Sequence, residues 1–382
     1  MFLPVECVEL KKPCSMELLI EPWQALAAEA AEPNPFYEPW ALLPALEHLA
    51  GRGAPSVLFV WRDQQKSDLI GVFPLERAFG YHHLPVVYRG LWQHVHCFLT
   101  TPLLKRGAEQ EGWRGFLEWA GQQTPLIHLA GLAADGPVYR GLSQALLEAR
   151  RRHHLESRIL RPLLAPTVSA AEYLDAALRK KRRRQFDRKR ELLSEHGAVR
   201  FETATDCEVL AQWLVEFIEL EARGWKGRGQ TAIKSHHNEM AYFRSLVRRG
   251  GGRGKLRAYR LLSGDATVAM RFDLVANNAA FALKIAYDEA HAEYSPGGLL
   301  EIEILQRFFK QGELAFIDSC TIPSPNSIHG YFWRESRAIC SLDIASPSVL
   351  GESLLGFGRW IRLLKAPRVG VPQSAGSVEA IP

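Results

Sequence analysis

The sequence has no Cys-x-x-Cys pair and no zinc-type spacing among its six cysteines, Cys7, Cys14, Cys97, Cys207, Cys320 and Cys340. That scatter excludes a metal site built on paired cysteines and fits a reduced, cytoplasmic protein. No run of about 18 apolar residues occurs, so no membrane span is predicted. The N-terminus, with Pro4, Glu6, Glu9, Lys11 and Lys12, lacks the apolar core of a secretion signal. No internal sequence repeat is visible. What is present is a chain of 382 residues, 47% hydrophobic and 23% charged. That is the composition of a soluble globular protein with room for two domains.

The formal charge of +5 hides an asymmetry. Between Arg179 and Arg190 lie nine basic residues and one acid, which carry +8 of that total and leave −3 for the rest. A mildly acidic protein with one basic helix excludes broad coating of nucleic acid. It points to one localised anionic contact.

The first half reads as mixed α/β. Strands are predicted over 57–62, 68–77, 86–91, 126–132 and 155–164, where Val, Ile, Leu and Phe concentrate. Helices are predicted over 39–49, 109–122 and 138–152. Pro162 and Pro166 punctuate a linker. In the second half, Ser169 followed by Glu172 fits a capping box. One helix is expected to run from there through Tyr173, Leu174 and Leu178 into the basic run, with Gly197 as its stop. A strand at 199–203, helices at 206–223 and 236–249, and a three-strand meander at 255–262, 266–275 and 279–287 follow. A helix over 298–311, a strand over 314–319 and an amphipathic helix over 349–364 complete the reading. The tail at 366–382, rich in Pro, Gly and Ser, is expected to be disordered.

The stretch Asp288–Leu300 joins a strand to a helix through Ser295-Pro296-Gly297-Gly298-Leu299. Unpaired amides and the helix dipole at such a turn attract a phosphate or pyrophosphate. An ordinary loop is the competing reading. A phosphate-bearing donor points to group transfer.

The chain resembles the GNAT superfamily of acyltransferases, and within it the CelD-like group. The resemblance rests on the basic run 179–184 with Arg188-Lys189-Arg190, and on Gly224-Trp225-Lys226-Gly227. It continues through Lys284–Glu289, Tyr294-Ser295-Pro296-Gly297, Asp318-Ser319-Cys320 and Trp333-Arg334. It is good over 167–345 and looser before that. It implies an α/β (α+β) fold of two tandem GNAT-like lobes, as in the Fem-type aminoacyl transferases. Each lobe is a mixed, mostly antiparallel sheet flanked by helices. The lobes are expected at 1–166, degenerate, and 167–347, catalytic, with an amphipathic helix and tail at 348–382. The usual pyrophosphate loop has Gln or Arg where this chain has Tyr294, and a second small residue where it has Leu299.

The resemblance also implies site residues. The acyl carbonyl would lie along 279–287, polarised by amides near Leu283 and Ile285. Ser295, Gly297, Gly298 and Leu299 would hold the phosphates, helped by Lys181 and Arg184. Asp288 is the candidate base or amine-orienting group, with Glu289 and Glu221 as alternatives. Lys284 faces a cleft or snorkels from a rim, and Asp318 is a second polar group beside it. Cys320 reads as a nucleophile or, more simply, as a small packing residue. Tyr331 or His329 would protonate the thiolate, unless both are ordinary loop residues. Glu221, Trp225, Tyr287 and Trp333, near Lys226 and Arg334, would line an acceptor pocket or simply pack.

The expectation is therefore an N-acyltransferase acting by direct attack. It would move an acyl group from acyl-CoA or acyl carrier protein to an amine of an envelope precursor. That amine is a lipid amine such as a sphingoid base, or an amino sugar of a polysaccharide. No metal is expected. The basic helix offers four partners: coenzyme A phosphates, a carrier protein, an anionic membrane surface at the inner membrane, or a tRNA acceptor stem. The alternatives are a Fem-like transferase using aminoacyl-tRNA, and a non-catalytic accessory protein of polysaccharide biosynthesis.

Overall fold

The computed structural model describes residues 5–51, 54–81, 84–321 and 328–365. The expected disordered tail lies outside the described residues. The first half runs β1 (Glu6–Leu10), α1 (Pro13–Met16), α2 (Ile20–Glu29), α3 (Pro39–His48), β2 (Ser56–Trp61), β3 (Leu69–Tyr81) and β4 (Leu84–Leu91). It continues with β5 (Leu103–Leu104), α4 (Glu109–Gln123), β6 (Leu126–Ala133), α5 (Pro137–Glu148) and β7 (His153–Leu164). The second half runs α6 (Ala170–Ala177), α7 (Lys180–Ser194), β8 (Val199–Ala204), α8 (Cys207–Arg223), α9 (Trp225–Arg228), α10 (His237–Gly250), β9 (Leu256–Ser263), β10 (Ala266–Ala276) and β11 (Ala279–Tyr287). It closes with α11 (Pro296–Gln311), β12 (Phe316–Asp318), α12 (Ile328–Phe332), β13 (Glu335–Ala345) and α13 (Val349–Lys365). Among the described residues, no helix is long and apolar enough to cross a membrane.

The strands form one sheet in the order β1-β2-β3-β4-β6-β13-β7-β12-β11-β10-β9-β8, with β5 pairing β3 off that path. The two halves repeat one topology. Each has four antiparallel strands and a parallel fifth: β6 runs parallel to β4, and β12 runs parallel to β11. This is the expected pair of mixed, mostly antiparallel sheets. Their closing strands are exchanged. β7, from the first half, pairs with β12; β13, from the second, pairs with β6. β7 and β13 then pair with each other from Glu335↔Leu163 to Ile344↔His153.

The halves also share a core. Trp23, Phe36 and Trp40 lie in one buried cluster with Phe217, Tyr242 and Phe281. The rings of Phe36 and Phe281 meet edge to face at 6.1 Å. Each such side chain contributes about 1.5–3 kcal/mol on burial. Trp40 on α3 lies so close to Gly250 on α10 that a Cβ there would come within 2.7 Å of the indole. The helices can therefore approach only because residue 250 has no side chain.

The N-terminal half of the expected capping box forms: the Ser169 hydroxyl accepts from the Glu172 amide at 3.3 Å. The single helix expected beyond it does not. Leu178 takes φ −111° and ψ 59°, and α7 begins afresh at Lys180. Burial phase explains the break. Continuing the buried face of Tyr173 and Ala177 at helical spacing would turn Lys181 and Arg184 inward. Restarting the helix turns Phe186 and Leu193 inward instead. Arg182 donates to the Ala177 carbonyl at 2.6 Å and closes the end of α6.

The strand exchange carries an ionic pair. His128 on β6 meets Asp343 on β13 at 2.8 Å and Glu156 on β7 at 3.6 Å. Burial pushes His128 down, but Asp343, Glu156 and Glu76 together outweigh it and leave the imidazole above its ordinary 6.5. A raised folded value stabilises below the unfolded value and is lost as pH rises through the folded one. The stability that His128 contributes is therefore expected to be lost as pH rises through its raised value. The stability advantage of wild type over His128→Gln should shrink as pH rises, in denaturant titrations on either side of neutrality.

Candidate active site

The site forms where β11 and β12 part. Their parallel pairing ends at Phe281↔Asp318, and β11 continues to Tyr287 with β10 alone beside it. The β10 register jumps from Asp273↔Ala282 to Phe272↔Lys284, so Leu283 is an extra, bulged residue. Bulges re-aim backbone and side chains and recur beside active sites. On the other side, Cys320 takes φ 52°, a left-handed conformation unusual for a residue with a Cβ. The gap opens into a cleft of about 1000 Å³. The first half supplies one wall, Gln93–Phe98 with Arg161, and α10 contributes Glu239.

Within the cleft, His96 Nε2 lies 2.7 Å from Glu239 Oε2. The ring stacks on Tyr242 at 5.7 Å and meets Phe243 at 4.8 Å. A carboxylate only accepts, so Nε2 carries the proton and Nδ1 is left as the acceptor. Burial holds His96 below its ordinary value, against the opposing pull of Glu239 and Glu221. A base that is neutral at neutral pH is what amine deprotonation needs. Lys284 is also lowered, chiefly by burial, although Glu221 lies 3.6 Å away. His94 and His329 are pushed down to about 3 by burial and stay neutral.

The structure brings Lys284, Leu283, Ile285, His329, Lys226 and Cys320 to the cleft. Asp318 lies just behind it, buried. Its Oδ1 accepts from the Cys320 amide at 2.8 Å, and it faces Arg161 at 3.5 Å and Arg337 at 3.4 Å. Glu221 is buried too, held by Lys226 at 2.8 Å and the Ile233 amide at 2.9 Å. The Cys320 thiol is raised well above its ordinary value by burial, which suits packing rather than attack.

Other expected residues fall elsewhere. Asp288 does not line the cleft, because β11 carries it beyond. Its Oδ1 caps the next turn at the Ala290 amide, 2.9 Å away, and its Oδ2 faces His291 at 3.3 Å. Trp333 is core: its indole N–H donates to Glu301 at 2.8 Å. Trp225 is exposed, with its amide on Glu289 at 2.6 Å. Tyr331 is exposed beneath the Arg182 guanidinium at 3.6 Å. Tyr287 is partly exposed and lies against Gly297. Lys181 and Arg184 point to solvent on α7.

The turn before α11 is narrower than its sequence implies. Pro296 has no N–H, and the Gly298 and Leu299 amides both donate to the Ser295 carbonyl, at 2.9 and 3.0 Å. Among the described residues, that leaves the Gly297 amide without a partner in the first turn. Lys189 supplies the local cation, hydrogen-bonded to Ser295 Oγ. Phe186 covers Gly298: a Cβ there would meet the ring at 2.6 Å, whereas at Gly297 the nearest atom is 3.6 Å away. Gly297→Ala should therefore raise stability by up to about 1 kcal/mol. Gly298→Ala should lower it by about 1–3 kcal/mol through overpacking. Thermal unfolding of the two variants decides the contrast.

Sequence reasoning missed His94, His96, Glu239, Arg161 and Arg271. The pair His94-Val95-His96 was the available signal, a histidine couple outside any predicted strand.

Residues 180–325 match the family model for an acetyltransferase (GNAT) domain. No curated protein matches the sequence. Solved structures with the same fold include a conserved protein of unknown function from Bacteroides thetaiotaomicron, at 10% identity and TM-score 0.54, covering 89% of this chain and 100% of that one. FemX matches at 10% identity and TM-score 0.54, over 88% of this chain and 96% of that one. The C-terminal domain of a lysylphosphatidylglycerol synthetase from Agrobacterium fabrum matches at 8% identity and TM-score 0.51, over 92% and 97%. The expected likeness to GNAT acyltransferases with Fem-related tandem lobes is borne out. The chain carries a GNAT-type transferase domain.

Proposed function

We propose that the protein is an N-acyltransferase whose chemistry takes place where β11 and β12 part. The observation that carries this is the unpaired edge of β11, bulged at Leu283, facing the His96–Glu239 pair across one cleft. An acyl thioester laid along Ala282–Ile285 would have its carbonyl polarised by backbone amides there. The acceptor amine attacks the carbonyl carbon as His96 Nδ1 takes its proton. The C–N bond forms, the C–S bond breaks, and the proton returns to the departing thiolate. His329, held neutral by burial, is poorly suited to be the acid.

The donor is acyl-CoA or an acyl carrier protein, and the acceptor an amine, with the lipid amines and amino sugars of envelope precursors first to be tried. Acyl-CoA of short and long chain and acyl carrier protein, each offered with such amines, test the reading by mass spectrometry of the amide and by thiol release. No protein-dependent amide from any thioester overturns it. A second reading, an aminoacyl ester of tRNA as donor, is favoured by one observation. The α11 start leaves a single amide for phosphate, while the exposed cations lie outside on α7. It predicts steeply salt-dependent tRNA binding.

A further inference from the structure

Three polar side chains that line the cleft are more than nine-tenths buried and carry nitrogen atoms without a partner among the described residues. Arg161 is 6% exposed and its Nε has none. His94 is 6% exposed and its Nε2 has none. His329 is 3% exposed and neither ring nitrogen has a hydrogen bond, Nε2 lying 3.7 Å from Glu301 Oε2. An unsatisfied buried polar group costs about 1–3 kcal/mol, so three in one cleft mark a place that a ligand completes.

The chemistry of the three narrows the ligand. His94 Nδ1 accepts from the His96 amide at 3.3 Å, so its Nε2 is the protonated, donating nitrogen. Arg161 has five N–H donors, and among the described residues its one side-chain hydrogen bond is a long one, 3.5 Å to Asp318. His329 adds a further donor. The other cations of the cleft are committed. Arg271 is taken by Asp273 at 2.7 and 2.8 Å and by Glu301 at 2.8 Å. Lys226 and Lys284 share Glu221. One loosely held guanidinium among neutral donors fits a monoanion with two oxygens rather than a phosphate dianion.

We propose that Arg161, with His94 and His329, forms a subsite for a carboxylate carried by one of the substrates. It rests on reading this cleft as the place where donor and acceptor meet. Arg161 comes from β7, the strand that the first half lends to the second, so the exchange itself delivers the specificity group.

Calorimetry on the unaltered full chain, with one probe at a time, tests this without turnover. The probes are alanine, phenylalanine and lysine, each against its carboxamide, and succinyl-CoA against butyryl-CoA. The expected result is a preference of about tenfold or more for the carboxylate in one of the two series, since charge-assisted hydrogen bonds are lost in the other member. The amino-acid series places the carboxylate on the acceptor, and the succinyl series places it on the acyl group. Arg161→Gln should abolish the preference and Arg161→Lys should keep part of it. His96→Gln should leave it intact, so a failure of the transfer reading is distinguishable from a failure of the subsite. Equal binding of acids and neutral partners in both series, or no saturable binding of any probe, overturns the proposal; the matched pairs decide even if Arg161→Gln does not fold.

Discussion

His96→Gln is expected to lower kcat for amide formation by about 10²- to 10⁴-fold, the range for removal of a positioned general base. Binding of the thioester should change little, because the donor is proposed to lie on the β11 side of the cleft. The pH profile carries independent information. With His96 below its ordinary value, the base is unprotonated at neutral pH, and the rate falls only as pH drops through the lowered value. Glu239 pulls His96 upward. Glu239→Gln should therefore move the acid limb to lower pH and cost less rate than loss of the ring. Steady-state rates across pH measure both effects. An unchanged kcat in His96→Gln would remove this residue from the reaction and leave Lys284 as the candidate base.

Local signals in the sequence were read well, and pairings between distant segments were not. The cap at Ser169 and the meander β9-β10-β11 depend on residues within a few positions of each other, and both stand where the sequence placed them. β13 was not foreseen, although Ile339, Cys340, Leu342 and Ile344 have strand character. Its partners are β6 and β7, far back in the chain. β1 was missed for a related reason: five residues beside β2 carry no turn signal that ties them to it.

The site divided in the same way. The β11 residues Leu283, Lys284 and Ile285 were read from a strand that ends in a recognisable motif, and they line the cleft. Asp288 was favoured because it terminates that strand, but one more turn of chain takes it past the gap and into a cap. The opposite wall, Gln93–Phe98, has no regular structure to recognise. It reaches the cleft only because the two halves share a core and exchange strands. The basic run was visible from composition alone, but its phase was not. Phe186, one uncharged residue within it, decides which face of α7 covers the start of α11.

The largest stability effect is expected at Arg271. Its guanidinium is fully buried between Asp273, held at 2.7 and 2.8 Å, and Glu301, held at 2.8 Å. Glu301 also accepts from the Trp333 indole at 2.8 Å. Arg271→Met keeps much of the volume but leaves two carboxylates buried without their cation. Breaking a buried ionic group from one side costs about 3–5 kcal/mol. A large share of the stability typical of a domain would go with it. Chemical denaturation should show a lower midpoint with an unchanged slope. Adding Asp273→Asn and Glu301→Gln to Arg271→Met should recover most of the loss, because the cost lies in the stranded charges rather than in the missing contact. A loss under about 1 kcal/mol for Arg271→Met would mean that the carboxylates find protons or water instead. The network would then be a feature of the cleft floor rather than of the fold. Arg271 pairs across the sheet with Ile285, so its loss should also disturb the bulged edge of β11 on which the donor is proposed to lie. Thioester affinity and unfolding midpoint are expected to fall together in this variant, in contrast to His96→Gln, where only the rate falls.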